Sequence, residues 1–366
     1  MHLNIQDPPK LVFSGTPREI GLSHGHHLQS QIKDQMSVYE EMFRHSCDMD
    51  WASARQDAEK FRATIERLTP HLHEEMQGIA DGAGVHILDI VTLNCRSEIT
   101  FGKFTDGCTS LSWKRSDDCR ILAQNWDFAP GVQRNIAFME IDRPGQPTIY
   151  MVGEAGIVGK IGFNSACVGT CLNAIRAHPC ISSKLPIHVA LRLCLESISA
   201  EDAVQKLERL GGTGSSQHIL VADSTSSFGL ELSPLGNVYI EEDDYGMVTH
   251  TNHFLENHFV YAPPWLSGSP VRLARARQLS RELIDSGVLS EDQLIPGVLR
   301  EKVFSDLYNA PQSICGQSDW TLDRIEQVVT LFNIVMRLDP KNLGAEVAVG
   351  QPGSGRETSV VKMPWR

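Results

Sequence analysis

The sequence changes character near residue 107, and that break limits the folds open to the chain. Before it, Ala58, Phe61, Ile65, Leu68 and Leu72 recur at helical spacing and form one apolar stripe with charged residues between. Pro70 falls inside this stretch and brings no N–H to a helix interior, so it kinks or divides the segment. After the break come short strand-like runs at 121–128, 135–141, 148–152 and 167–172, parted by turn clusters such as Ser116-Asp117-Asp118 and Arg143-Pro144-Gly145. Returns this short favour antiparallel pairing over crossover connections. Helical runs at 187–198 and 201–210 interrupt the strands, which resume at 218–222, 228–232 and 247–250. A Pro/Gly/Ser stretch at 262–270 leads into helical sequence around Leu273, Ala276, Leu279 and Leu283. The end reads as a hairpin: 328–338, a turn at Asp339-Pro340-Lys341-Asn342, then 346–349 and 358–362. Strand runs with helices grouped between them predict antiparallel sheets with helices on their outer faces.

Composition narrows the function more by exclusion than by suggestion. With 366 residues, 41% hydrophobic and 21% charged, the chain has enough apolar sequence for a large core. A net charge of −12 without a Lys/Arg cluster argues against a nucleic-acid partner. No apolar run approaches the ~20 residues of a membrane helix, so no membrane partner is expected. Met1-His2-Leu3-Asn4-Ile5 lacks the regions of a secretory signal, and Met363-Pro364-Trp365-Arg366 is no peroxisomal address. Nine cysteines without a C-x-x-C pair fit a reducing compartment. The expectation is a cytoplasmic protein.

Three sets of residues invite a chemical reading. Cys108 follows a glycine in Asp106-Gly107-Cys108-Thr109-Ser110, at the composition break. From the residues alone it is either a buried structural cysteine or a nucleophile, and free cysteine is among the most buried residue types. His24, His26 and His27 form one histidine cluster, and His250 and His253 flank Thr251-Asn252. No carboxylate or cysteine stands at ligand spacing around either, so no metal site is expected. Gly153, Gly156, Gly159 and Gly162 lack a following helix start, so they read as turns and close strand packing, not a phosphate loop.

Several strings taken together carry a resemblance. They are Gly15-Thr16-Pro17-Arg18-Glu19-Ile20-Gly21 with His24-Gly25, Leu93-Asn94-Cys95-Arg96-Ser97-Glu98, Asp106-Gly107-Cys108-Thr109, and Gln124-Asn125-Trp126-Asp127-Phe128. They continue through 154–164, Ala190-Leu191-Arg192, Phe228-Gly229-Leu230-Glu231, His250-Thr251-Asn252-His253, Ser313-Ile314-Cys315 and Thr330-Leu331-Phe332-Asn333. In this order the chain resembles the isopenicillin N acyltransferase family, self-processing cysteine N-terminal nucleophile hydrolases. The resemblance implies an α+β fold, a four-layer αββα sandwich of two antiparallel sheets between helix layers. It implies self-cleavage between Gly107 and Cys108, giving residues 1–107 as a helical α subunit and 108–366 as a catalytic β subunit, together one domain.

On that resemblance, Cys108 is the nucleophile and its freed α-amino group, with an ordinary pKa of about 7.7–8.0, takes the thiol proton. Asn252 matches the family's asparagine and is expected to aim its side-chain N–H at the oxyanion. Asp127 matches the aspartate near the new amino terminus and is expected to hold an amine. Thr109, Arg96 and Glu98 lie in matched strings, Thr109 as a substrate-side residue. In the penicillin enzymes an arginine near Thr-Leu-Phe-Asn holds the substrate carboxylate. Here Gln327 or, with an insertion, Arg324 falls in its place, and Gly316 stands where those enzymes have arginine. The expected reaction moves an acyl group from a thioester (acyl-CoA) or amide to a small amine, without cofactor or metal. Hydrolysis of small N-acyl amines by the same site is the alternative, and a non-catalytic scaffold that kept the fold is a third, less favoured reading.

Overall fold

In a computed structural model, the described residues are 7–100, 107–263, 267–287, 296–353 and 359–365. The first hundred residues are largely helical, as the spacing predicts: α1 (Pro17–His27), α2 (Gln29–Cys47), α3 (Trp51–Leu68), α4 (Pro70–Ala83), α5 (Ile87–Asn94) and α6 (Arg96–Ile99). Pro70 divides rather than kinks the long stretch, because it occupies the first turn of α4, where a missing N–H costs nothing. Thr16 and Glu19 close a reciprocal capping box at the start of α1.

Helices α1 and α4 touch backbone to backbone through glycine. A methyl group on Gly21 would stand 2.0 Å from the Glu75 carbonyl oxygen, and one on Gly25 2.1 Å from that of Ile79. Gly78 and Gly82 meet α1 in the same way. Gly25→Val is therefore expected to destabilise the chain by about 1–3 kcal/mol, the usual cost of overpacking. Urea unfolding with an unchanged midpoint would show that the two helices can part freely.

The remaining strands and helices are β1 (Lys10–Ser14), β2 (Gly107–Ser116), β3 (Cys119–Phe128), β4 (Ile136–Asp142), β5 (Ile149–Glu154), β6 (Ile161–Asn164), β7 (Gly169–Ala174), α7 (Ile187–Leu195), α8 (Ala200–Arg209), β8 (Gln217–Ala222), β9 (Ser227–Leu232), β10 (Val238–Ile240), β11 (Met247–His250), α9 (Ser269–Asp285), α10 (Pro296–Leu299), β12 (Val329–Leu338), β13 (Gly344–Val349) and β14 (Val360–Met363). They form an eight-stranded sheet in the order β1-β4-β5-β6-β7-β8-β9-β10 and a six-stranded sheet in the order β11-β2-β3-β12-β13-β14. Side chains of Leu122, Trp126, Phe332 and Met336 from the second sheet share one core with Cys171, Leu172 and Ile219 from the first. The outer face of the six-stranded sheet, with Leu111, Trp113 and Ile121, packs on Ala276, Val303 and Phe304 from the α9–α10 region. Helix α7 lies against β6, β7 and β8, and α5 lies against α7. This is the expected αββα sandwich.

One expectation needs correcting. β1 was not read from the sequence, and it pairs parallel with β4, Lys10 opposite Phe138, so the larger sheet is not wholly antiparallel. The chain between them is long enough to carry β1's partner back in the same direction.

Buried ion pairs tie the helical segment to the strands. Arg192 in α7 donates to Glu75 in α4, and Arg96 donates to Glu154 at 2.7 Å. Glu196 accepts from His71 at 2.9 Å and from Arg192 at 3.1 Å. Burial alone would push the Glu196 carboxyl up, but His71, Arg192 and Arg143 hold it down at about 2. A depressed acid adds stability that is complete above its unfolded value of 4.5 and is lost as pH falls toward 2. Glu196→Gln is therefore expected to flatten the acid limb of a stability–pH curve measured in urea. An unaltered limb would contradict this linkage.

Candidate active site

The strand pair β2–β3 builds the site. Gly107 lies opposite Asp127, Cys108 opposite Trp126, and Thr109 opposite Asn125. Alternation along β2 turns Cys108 and Ser110 toward the other sheet, where Ser110 Oγ donates to Asn173 Oδ1 at 2.7 Å. Cys108 is fully buried in that inter-sheet core. Gly107 and Thr109 face the opposite way, toward α9.

The backbone of Cys108 is held at both its N–H and its carbonyl. Cys108 N–H donates to Asn252 Oδ1 at 2.7 Å. Arg272 of α9, itself buried, donates from Nη1 to the Cys108 carbonyl oxygen and to Thr109 Oγ1 at 3.3 Å, and from Nη2 to Asn252 Oδ1 at 2.9 Å. The Asn252 Nδ2 group is spent on the Ala174 carbonyl oxygen at 3.0 Å. In this structure the Asn252 side-chain N–H is thus turned to Ala174 and its oxygen to Cys108. Two donors converge on Oδ1, so the amide must present its oxygen to Cys108.

Asp127 stands on the acyl side of the junction. A methyl group on Gly107 would come within 3.0 Å of Asp127 Oδ2, and one on Gly316 within 3.3 Å. Thr330 Oγ1 donates to Asp127 Oδ1 at 2.6 Å, and Gly316 N–H donates to Thr330 Oγ1 at 2.9 Å. The carboxylate therefore sits between two glycines, and either side chain would crowd it. A cleft opens here, with Gly107, Asp127, Arg272, Gly316, Leu322 and Glu326 among its walls.

Gly107, Cys108, Thr109, Asp127 and Asn252 are therefore brought together. Arg324 is not: it is exposed in a turn and is outside the described cleft lining. Gln327 is nearly buried and donates to the Leu322 carbonyl oxygen at 3.4 Å. Asp106 lies outside the described residues. Arg96 and Glu98 act at a distance from Cys108: Glu98 accepts from Ser215 Oγ at 2.5 Å and from Ile187 N–H at 2.9 Å.

The histidine cluster is dispersed. His24 is buried, its Nε2 accepts from Gly156 N–H at 2.9 Å, and burial followed by the Arg192 charge lowers it to about 3. His26 and His27 are exposed. Among the described residues no group of three metal-ligating side chains occurs. Arg272 was missed by sequence reading. It sits in an Arg-rich helix, where it is buried while Arg275 and Arg277 are only partly so, and no local motif marks it.

The geometry can be set beside known proteins. The family profile for acyl-coenzyme A:6-aminopenicillanic acid acyl-transferase matches residues 114–353. The chain belongs to this family. An acyl-coenzyme A:6-aminopenicillanic-acid-acyltransferase 40 kDa form from Emericella nidulans is 34% identical over 349 residues, covering 95% of this chain and 94% of that one. The protein is thus an enzyme of an acyltransferase family. The relative's match also spans the part of the chain before residue 114, which includes Cys108, where the family profile begins later. Among solved structures, a conjugated bile acid hydrolase mutant from Clostridium perfringens aligns at 11% identity with a TM-score of 0.45, covering 70% of this chain and 92% of that one. A penicillin V acylase from Agrobacterium tumefaciens aligns at 13% identity and 0.36, covering 70% and 85%. No helix among the described residues is long and apolar enough to cross a membrane.

Proposed function

We propose that this family member cleaves itself between Gly107 and Cys108 and then acts as a cysteine N-terminal nucleophile acyltransferase. The observation that carries the reading is the set of contacts around the Gly107–Cys108 junction: Asn252 on the Cys108 N–H of that peptide, Arg272 on the Cys108 carbonyl of the next, Asp127 against the Gly107 α-carbon. In self-cleavage the Cys108 sulfur attacks the Gly107 carbonyl carbon and the peptide C–N bond breaks, leaving a thioester and a free amine. Water then cleaves the thioester to a Gly107 carboxylate and the Cys108 thiol. Residues 1–107 and 108–366 would remain associated through the buried pairs Arg192–Glu75 and Arg96–Glu154.

In turnover the freed amine takes the thiol proton, and the sulfur attacks the carbonyl of an acyl-CoA thioester or an amide. Loss of the donor's leaving group gives an acyl-Cys108 thioester, and a small amine attacks it to regenerate the thiol. Water in place of the amine gives amide hydrolysis by the same residues. Supplying an acyl-CoA with and without amines, and separating acyl amide from free acid by chromatography, tests the assignment. Free acid alone, with every amine tried, would favour the hydrolase reading.

The walls of the cleft bear on the acceptor. Asp127, Asp319 and Glu326 line it, and Arg272, the one basic side chain in the described lining, is turned to Cys108, Thr109 and Asn252. A carboxylate clamp built from Arg324 lacks support from its exposed position, and Gln327 offers no guanidinium fork. Amines without a carboxylate are expected to exceed 6-aminopenicillanate in kcat/KM. A best rate with 6-aminopenicillanate, abolished by Arg324→Ala, would reverse that assignment.

A further inference from the structure

Glu231 and His250 form a buried pair behind Asn252 that the scheme above leaves unused. Glu231 Oε1 accepts from His250 Nε2 at 2.8 Å and from Leu255 N–H at 2.5 Å. Glu231 Oε2 accepts from the N–H groups of Glu256 at 3.0 Å and Asn257 at 2.8 Å. Every acceptor position of the carboxylate is turned to an N–H donor, so the proton of this pair lies on His250 Nε2. His250 Nδ1 lies 2.7 Å from the Thr251 carbonyl oxygen, an acceptor only, and so carries a proton as well. Both ring nitrogens of His250 thus face oxygen atoms, one of them in the Glu231 carboxylate. His218 stacks on it, with ring centroids 3.5 Å apart and planes at 10°. Its Nδ1–H donates to Asn173 Oδ1 at 2.9 Å.

The pair grips the backbone on both sides of Asn252. His250 holds the carbonyl of the peptide that leads into it, and Glu231 fixes the N–H groups of residues 255–257 just beyond it. The Asn252 N–H itself is held by Ser269 Oγ at 2.8 Å. We propose that the Glu231–His250 ion pair sets the position of the Asn252 amide for acyl transfer, which makes both residues positioning residues. This rests on the reading of Cys108 and Asn252 as the reacting site. A buried ion pair adds little net stability over an apolar pair of the same shape. Misplacing a reacting group by about 1 Å costs on the order of 10²-fold in rate.

The test uses the full-length protein with Glu231→Gln, which keeps shape and removes charge, and His250→Gln. Turnover of an acyl-CoA thioester is followed by release of free CoA thiol. The expected result is a kcat lowered roughly 10- to 100-fold with KM for the thioester within about twofold, in variants that retain the wild-type circular dichroism. Nitrogen-15 NMR of the wild-type histidines is expected to show one imidazole protonated at both nitrogens near neutral pH, absent from the spectrum of His250→Gln. A folded Glu231→Gln variant with wild-type kcat overturns the proposal. So does a His250 ring with a single proton, read from the wild type with the His250 signals assigned by through-bond correlation to its backbone, which needs no variant. Failure of the underlying reading is separate: it would appear as turnover by Cys108→Ala.

Discussion

Cys108→Ala is expected to remain one uncut chain and to lose acyl transfer by roughly 10⁴–10⁶-fold, the scale seen when a covalent nucleophile is removed. The size follows from the number of roles that one residue fills. In the proposed scheme its sulfur attacks Gly107 in self-cleavage, the same sulfur carries the acyl group in turnover, and its amine exists only once the chain is cut. Alanine fits the buried site without strain, since it is smaller than cysteine and keeps the N–H that donates to Asn252. The variant should therefore fold, so a loss of activity would report chemistry. Electrophoresis under denaturing conditions and thioester turnover check the two halves. A Cys108→Ala chain that still cuts at residue 107 would remove the sulfur from the scheme.

Asn252→Ala carries the second-largest expected effect, a loss on the order of 10²–10³ in kcat. The truncation removes the acceptor of the Cys108 N–H and a partner of the buried Arg272 guanidinium at once. A companion variant separates the two ends of the amide. Asn252→Asp keeps an oxygen toward Cys108 and Arg272 but loses the Nδ2 donor that now meets Ala174. If the oxygen end carries the function, Asn252→Asp should retain more turnover than Asn252→Ala. If the N–H end swings to the oxyanion after cleavage, both variants should be equally impaired. Near-normal kcat in Asn252→Ala would show that another group fills the position.

The helical first part and the strand-rich second part were legible because hydrophobic period is a local property. Pro70 as a boundary was legible for the same reason. β1 was not, since five residues pairing with a strand more than a hundred positions later leave no local period that separates strand from loop. The site divides along the same line. Gly107, Cys108, Asp127 and Asn252 stand in strings whose order carries information. Arg272 belongs to no such string, and only the packing of α9 on β2 and β11 brings it to Cys108. The orientation of the Asn252 amide is set by Cys108, Arg272 and Ala174, three groups from three elements, so the residue could be named from sequence and its direction could not. Arg324 shows the reverse case: it fits a linear count, and the structure places it in an exposed turn outside the described cleft lining.

The central claim is that the working nucleophile is an amino-terminal cysteine made by the chain itself. Intact-mass spectrometry of the purified wild-type protein, followed by sequencing of the larger fragment's first residues, tests it most directly. The account predicts two chains, 1–107 and 108–366, the second beginning Cys108-Thr109-Ser110 with an unblocked amine. A catalytically active protein that stays a single chain with an intact Gly107–Cys108 bond would contradict it.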